Sequence, residues 1–263
     1  MPEGDVVYRT ARRLGRALDG RILTRSDFRV PRYATADLRG RAVLETVSRG
    51  KHLLTRIDGG LTVHTHLLME GSRRIAPAGH GLPPGDVVRL LLANAEWQAA
   101  GVRLGMVDLV PTGEEERLVG HLGPDLLGTD WDQREAVRRL AAHPGTTIGE
   151  ALLDQRNVAG IGTVYRAETL FLAGTWPWRR VEEVEDLERI VGIAQRLLRA
   201  NGERPNRVTT GDTTPGRDTW VYGRAGRPCL RCGSRISRGE MGTRPQERLI
   251  VWYRRCQPER AAG

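Results

Sequence analysis

The second and third residues of this chain are a proline and a glutamate, Pro2 and Glu3. Proline at position 2 is small enough for an initiator methionine to be removed, which would leave a secondary amine as the first group of the chain. An α-amino group titrates near pH 8, so a useful fraction is neutral and nucleophilic at pH 7. Glu3 would sit beside that amine and could move protons for it. A Met-Pro start is commonplace, however, and by itself specifies nothing.

A second signal is compositional. Of the 41 basic residues, Lys51 alone is lysine and every other is arginine. A coding bias toward arginine accounts for the arginines but not for the one lysine. Arginine keeps its proton in proteins whereas lysine can lose it, so lysine is usable in acid–base work. The third signal is three cysteines, Cys229, Cys232 and Cys256, all near the end of the chain. An odd number in a cytosolic-looking chain argues against a disulfide framework and toward a metal site or a remnant of one. Finally, the run GIG contains Gly160 and Gly162, which permit a tight turn. A helix starting near Thr163 would then point its first amides at an anion such as phosphate. A GIG alone is also an ordinary turn.

These residues need elements to hold them. A length of 263 residues suits two modest domains. Residues 5–19 read as a helix, with Val7, Ala11, Leu14 and Leu18 at helical spacing and Gly20 as a stop. Residues 21–110 read as short strands (RILTRSDFRV, AVLETVS, HLLTRID, LTVHTHLL, VVRLLLA, GMVDLVP) punctuated by Gly, Pro and Asp, which suggests a sandwich or barrel. Residues 114–202 carry apolar residues at helical spacing, residues 203–218 read as polar loop, and a small module with all the cysteines comes last. The net charge of +9 attracts polyanions, nucleic acid first. No run of 18 apolar residues predicts a membrane span. The first residues lack the basic and apolar blocks of a signal peptide, so a cytoplasmic location is expected.

Four segments, in order along the chain, resemble one family. MPEGD followed by a helix is similar to the start of the formamidopyrimidine-DNA glycosylase and endonuclease VIII family. SRGKHLL resembles the strand carrying its lysine, DQRNVAGIGTVYRAETLF its helix–two-turn–helix, and VYGRAGRPCLRCG the entry to its finger. PRYATADL looks like the actinobacterial branch on the endonuclease VIII side. The resemblance implies an α+β multidomain fold: an N-terminal helix plus antiparallel β-sandwich, then a helical helix–two-turn–helix domain with a C-terminal β-hairpin finger. The domains would be 1–112, 113–218 and 219–263, with DNA in the cleft between the first two. It also implies the activity of a bifunctional DNA glycosylase and abasic-site lyase in base-excision repair.

The same resemblance implies the site residues. Pro2 would attack C1′ of the damaged nucleotide, Glu3 would be its acid–base partner, and Lys51 would reach the lesion sugar or its phosphate. The target lies inside the duplex stack, so the nucleotide must be extruded. Met69, in HLLMEGSRR, falls at the position of the wedge that fills the gap, with ordinary core as the alternative. Arg103, in GVRLG, would face the orphaned base. Asn157, Gly162 and Thr163 would grip phosphate, with Thr163 standing where the family usually has asparagine. Arg248 matches the finger arginine linked to the second elimination, with Arg244, Arg254 and Arg255 as nearby alternatives. The expected partner is damaged DNA, duplex or single-stranded, bound by a monomer with no membrane, in a cytoplasmic, nucleoid-associated setting. Catalysis would need no cofactor.

Two departures stand out. The family holds structural zinc with two Cys-x-x-Cys pairs. Here Cys229 and Cys232 form the first pair, but WYRRCQ places Tyr253 at the usual third-ligand position, leaving Cys256 alone. Four protein ligands are usual for structural zinc. Three thiolates plus water or a carboxylate such as Glu240 or Glu247 could bind it, and a metal-free finger is equally consistent. At the other end, the family's second glutamate is absent; Asp5 either stands in for it or caps the first helix. A non-catalytic damaged-DNA-binding protein on the same scaffold, and a helix–two-turn–helix RNA-binding protein, are the competing readings.

Overall fold

The computed structural model of the protein describes residues 2–245 and 247–259. Met1, whose removal the chemistry at Pro2 requires, lies outside the described residues, as do residues 260–263 of the expected finger module. The chain divides into two compact units, one ending at His121 and the other starting at Leu122.

The first unit opens with α1 (Gly4–Leu18). Val7, Ala11, Leu14 and Leu18 are all buried, as a 4-3-4 spacing on one helical face requires. Gly20 ends the helix at a φ of 74°, where a side chain would be strained. Eight strands come next: β1 (Arg25–Phe28), β2 (Val43–Arg49), β3 (His52–Ile57), β4 (Leu61–His66), β5 (Ser72–Pro77), β6 (Val88–Ala93), β7 (Trp97–Val102) and β8 (Met106–Pro111). They form two antiparallel sheets, β1-β6-β7-β5 and β2-β3-β4-β8. Leu90, Leu92 and Ala99 from the first sheet, Leu53, Ile57 and Val63 from the second, and the apolar face of α1 share one core. The short helix α2 (Glu116–Val119) closes the unit.

Strands β5 and β7 are additions to the sequence reading. WQAAGV in β7 has strand-favouring residues only at its two ends, Trp97 and Val102. Its small residues are there because the layer beneath is tight: a Cβ on Gly101 would fall 2.4 Å from Leu104. β5 is charged, and its sequence carries no alternation to read.

The second unit is helical, with α3 (Gln133–Ala141), α4 (Ile148–Ala151), α5 (Thr163–Ala173) and α6 (Leu187–Asn201). Asp132 caps α3 by accepting from the Glu135 amide at 3.0 Å. Leu140, Ile148, Leu152, Ile161, Tyr165, Leu170, Ile190 and Leu198 make its core. Residues 203–218 contain no helix or strand, as expected. The hairpin β9 (Ser237–Met241) and β10 (Arg248–Trp252) then packs Ile236, Val251 and Tyr253 against Phe171 of α5.

Candidate active site and nucleic-acid interface

Pro2 leads directly into α1. Glu3 is the N-cap residue and is fully buried, and its carbonyl accepts from the amides of Val6 and Val7 at 3.0 and 3.1 Å. Asp5 lies inside the first turn and is also fully buried, so it does not cap the helix; Glu3 occupies that place. Lys51 sits in the β2–β3 turn next to Gly50, whose φ is 57°. Its side chain keeps some exposed surface, but the ammonium is nearly enclosed. Burial lowers its pKa, and the charge of Glu3 works in the opposite direction. Two residues 48 positions apart in sequence thus meet electrostatically in one corner of the first unit.

Met69 lies in the turn between β4 and β5 and is 67% exposed, which rules out the core alternative. The preceding Leu68 has φ 50° and packs over Gly105, where a Cβ would lie 2.0 Å from it. Arg103, exposed and with φ 46°, is in that same β7–β8 loop. The Gly105 amide donates to the His66 carbonyl at 3.1 Å and ties the two turns together. Among the described residues, the two non-glycine residues with a left-handed backbone, Leu68 and Arg103, therefore both belong to the neighbourhood of Met69.

The sequence reading passed over the polar face of the β2-β3-β4-β8 sheet. Register puts His52 opposite His66, and His64 opposite both Leu54 and Asp108. His52 Nδ1 lies 2.8 Å from His64 Nε2, and His64 Nδ1 lies 3.1 Å from Asp108 Oδ2. The His66 and His121 rings stand edge-on to His52 at 4.8 and 6.3 Å. Burial first, then the neighbouring histidines and Lys51, push His52 down to about 3. Burial, Lys51 and His64 push His66 to about 4. The alternation of β4, HTH, was the available signal: one face of a strand with two histidines.

In the second unit, α5 starts at Thr163 with Gly162 as its N-cap. Gly160 has φ 108°, and its amide donates to Gln155 Oε1 at 3.0 Å. Gln155 Nε2 donates in turn to the Leu153 and Ile161 carbonyls, so this side chain shapes the turn. Asn157 is buried, and its Nδ2 donates to the Ala151 carbonyl at 3.0 Å. Thr163 is buried as well.

Helix α5 also organises the C-terminal part of the second unit. Arg166, fully buried, donates to the Leu249 carbonyl at 2.6 Å, next to the exposed Arg248. Glu168, fully buried, accepts from the amides of Trp220, Val221 and Tyr222 at 2.8, 2.9 and 2.8 Å, and from the Thr209 hydroxyl. Burial raises its pKa against the pull of these four donors. Neither residue was singled out from sequence, because a charged residue in the middle of a helix ordinarily reads as its solvated face.

The finger brings the three cysteines together. The Sγ atoms of Cys229, Cys232 and Cys256 all lie within 4.8 Å of one another, and those of Cys232 and Cys256 are 3.6 Å apart. This set could hold a metal ion. Among the described residues no carboxylate or histidine joins it, so Glu240 and Glu247 are not the fourth ligand; Glu247 instead pairs with Arg244. Tyr253 hydrogen-bonds Cys232, which raises the pKa of the phenol and keeps it a poor anionic ligand. The donor set thus fits three of the four positions of a structural zinc site.

Residues 1–109 match the formamidopyrimidine-DNA glycosylase N-terminal domain, and residues 122–206 match the formamidopyrimidine-DNA glycosylase H2TH domain. A Streptomyces coelicolor protein named probable endonuclease 8 2 is 53% identical over 98% of this chain and 94% of its own length. The chain belongs to the formamidopyrimidine-DNA glycosylase and endonuclease VIII family. Within that family its relatives include a Mycolicibacterium smegmatis protein named DNA-(apurinic or apyrimidinic site) lyase Nei2, 47% identical over 98% of this chain and 99% of the other. A Gluconobacter oxydans formamidopyrimidine-DNA glycosylase is 35% identical over 89% and 91%. The Streptomyces coelicolor relative and a Mycobacterium bovis one carry endonuclease 8 names, in line with the branch expected from PRYATADL. The fold is shared with the Lactococcus lactis formamidopyrimidine-DNA glycosylase non-covalently bound to DNA containing an abasic site: TM-score 0.80, 23% identity, 98% of this chain and all of the other.

Proposed function

We propose that this chain is a base-excision-repair DNA glycosylase with abasic-site lyase activity. The observation that carries the reading is that Glu3 at the start of α1 and the chain's single lysine share one electrostatic corner. Relatives of nearly full length bear lyase and glycosylase names. The neutral amine of Pro2 adds to C1′ of an extruded nucleotide as the glycosidic bond breaks and the base leaves with a proton. The C1′–O4′ bond then breaks, O4′ takes a proton to become a hydroxyl, and a ring-opened iminium joins Pro2 to C1′. The iminium acidifies the C2′ proton; its removal expels the 3′ phosphate, and a further proton loss expels the 5′ phosphate. Glu3 carries protons for these steps. Lys51, kept charged by Glu3, grips the sugar or its phosphate.

Met69 fills the space left by the extruded nucleotide, and Arg103 faces the orphaned base. Asn157, Gly162 and Thr163 hold phosphate, the first through its placement of the turn, since its Nδ2 is engaged internally. Arg248 serves the second elimination. Residues 1–112 form the catalytic domain, 113–218 the helix–two-turn–helix domain and 219–263 the finger. Cys229, Cys232 and Cys256 would hold structural zinc with a fourth ligand from solvent; bound, the ion would cross-link the finger and take no part in proton transfer. The partner is damaged DNA, met by a monomer in the bacterial cytoplasm. No helix among the described residues is long and apolar enough to cross a membrane.

The test is borohydride trapping on a duplex containing an abasic site, using protein shown by mass spectrometry to begin at Pro2. A covalent adduct lost on Pro2→Gly or N-acetylation is expected. Binding without an adduct would replace this reading with that of a damage sensor.

A further inference from the structure

Arg248 stands at the turn end of the β9–β10 hairpin, where register pairs it with Met241. Its own side chain is exposed, but both of its neighbours in the hairpin are docked on the helices beneath. Met241 is buried and seats on α4: a Cβ on Gly149 would fall 2.5 Å from Met241 Sδ. Leu249, the next residue along β10, gives its carbonyl to Arg166 Nη2 at 2.6 Å. Nη1 of the same guanidinium donates to the Gly149 carbonyl at 3.4 Å, while the Gly149 amide donates to the Pro177 carbonyl at 3.0 Å. The Arg166 amide also closes the first turn of α5, donating to the Gly162 carbonyl at 2.9 Å. One fully buried residue therefore joins the start of α5, the backbone of α4 and the strand residue beside Arg248.

We propose that Arg166 is a positioning residue for Arg248: by holding the Leu249 carbonyl it fixes the point on β10 from which the Arg248 guanidinium reaches DNA. The inference rests on the proposed function in giving Arg248 the second elimination. A two-stranded hairpin is marginal by itself, so the place of Arg248 is set by how the hairpin docks. The side chain of Arg248 is long and exposed, and its reach is defined only as well as its Cα is held. A planar guanidinium can serve two carbonyls on different elements at once, which neither an apolar side chain of the same length nor a single ammonium can do as well. Met241 over Gly149 holds the other strand at the same level, so Arg248 is bracketed from both sides.

Arg166→Met keeps the apolar stem and removes the donors, whereas Arg166→Lys keeps a charged donor. On a duplex containing an abasic site, Arg166→Met should slow the second elimination by between about tenfold and a hundredfold, the range for a group misplaced by up to ~1 Å. The product then shifts from 3′-phosphate ends toward ends that keep the sugar remnant. Borohydride trapping, which reports the earlier steps, should stay within about twofold. Arg166→Lys should recover part of the loss. Arg166→Met combined with Arg248→Ala should be no slower in the second elimination than Arg248→Ala alone, because an absent guanidinium cannot be misplaced. In the DNA-free protein, the amide order parameters of Arg248 and Leu249 should fall in Arg166→Met from about 0.85 toward 0.6. Met241→Ala loosens the other side of the bracket, should give the same product shift, and replaces Arg166→Met if that protein does not fold. An unchanged product ratio in a folded variant, losses that multiply in the double variant, or order parameters that do not move would overturn the proposal. If Arg248→Ala itself leaves the products unchanged, the elimination role of Arg248 falls instead, and the order parameters decide whether Arg166 holds it.

Discussion

Glu168 offers the sharpest test of how the second unit is held. Its Oε1 accepts from the Val221 and Tyr222 amides, and its Oε2 from the Trp220 amide and the Thr209 hydroxyl. In Glu168→Gln the amide oxygen has to stay at the Oε1 position, because two backbone amides there have no alternative. The new NH2 group then faces Thr209, whose hydroxyl can reverse and accept, and Trp220 N, which cannot. One orphaned amide costs about 1–3 kcal/mol. In Glu168→Ala all four donors lose their acceptor. Val221 is wholly buried while Trp220 and Tyr222 are half-buried and can partly rehydrate, so the expected loss is about 3–6 kcal/mol. Urea unfolding at pH 8, followed by tryptophan fluorescence, should rank the unmodified protein above Gln and Gln above Ala. The midpoints in heat should fall by about 3 °C per kcal/mol. A Gln variant as stable as the unmodified protein would mean that Glu168 is already the neutral acid, and the orphan argument would be refuted. An Ala variant no worse than Gln would show that the four bonds do not act as the geometry implies.

Three further outcomes are expected. Met69→Ala should change stability by no more than about 0.5 kcal/mol, since the side chain is exposed, while lowering kcat/KM on a lesion duplex; a loss of stability without a loss of activity would mark Met69 as structural. His52 and His66 have folded pKa values of about 3 and 4, below the ordinary 6.5, so the unfolded chain takes up protons first as pH falls. Stability should therefore decline from about pH 6.5 toward 4 and level off below the folded values, and His52→Asn with His66→Asn should flatten that slope in acid titrations followed by circular dichroism. Tyr253→Cys should complete a four-thiolate set and bind zinc stoichiometrically and more tightly than the unmodified protein; equal metal content and equal chelator sensitivity in the two would contradict the three-of-four fit.

Much of the architecture could be read from local pattern. The 4-3-4 apolar spacing of α1 and the stop at Gly20 need only helix periodicity and backbone sterics, and β3, β4 and β6 need only short apolar runs bounded by turn residues. Lys51 stood out because composition isolates it, and Cys229 and Cys232 because their spacing suits metal. Strands β5 and β7 escaped because small and charged residues carry no β signal, their conformation being imposed by pairing and by the tight layer at Gly101. The roles of Arg166, Glu168, Asp108 and the histidines were equally hidden. Each depends on a partner distant in sequence: 83 residues from Arg166 to Leu249, 44 from His64 to Asp108 and 52 or more from Glu168 to the 220–222 amides. Local sequence determines which conformation a segment prefers and which side chains are chemically able to act. Only the closed tertiary structure decides which of them are taken out of water beside a partner, and that desolvation is what lowers the pKa of a lysine or histidine or turns a helical glutamate into an anchor.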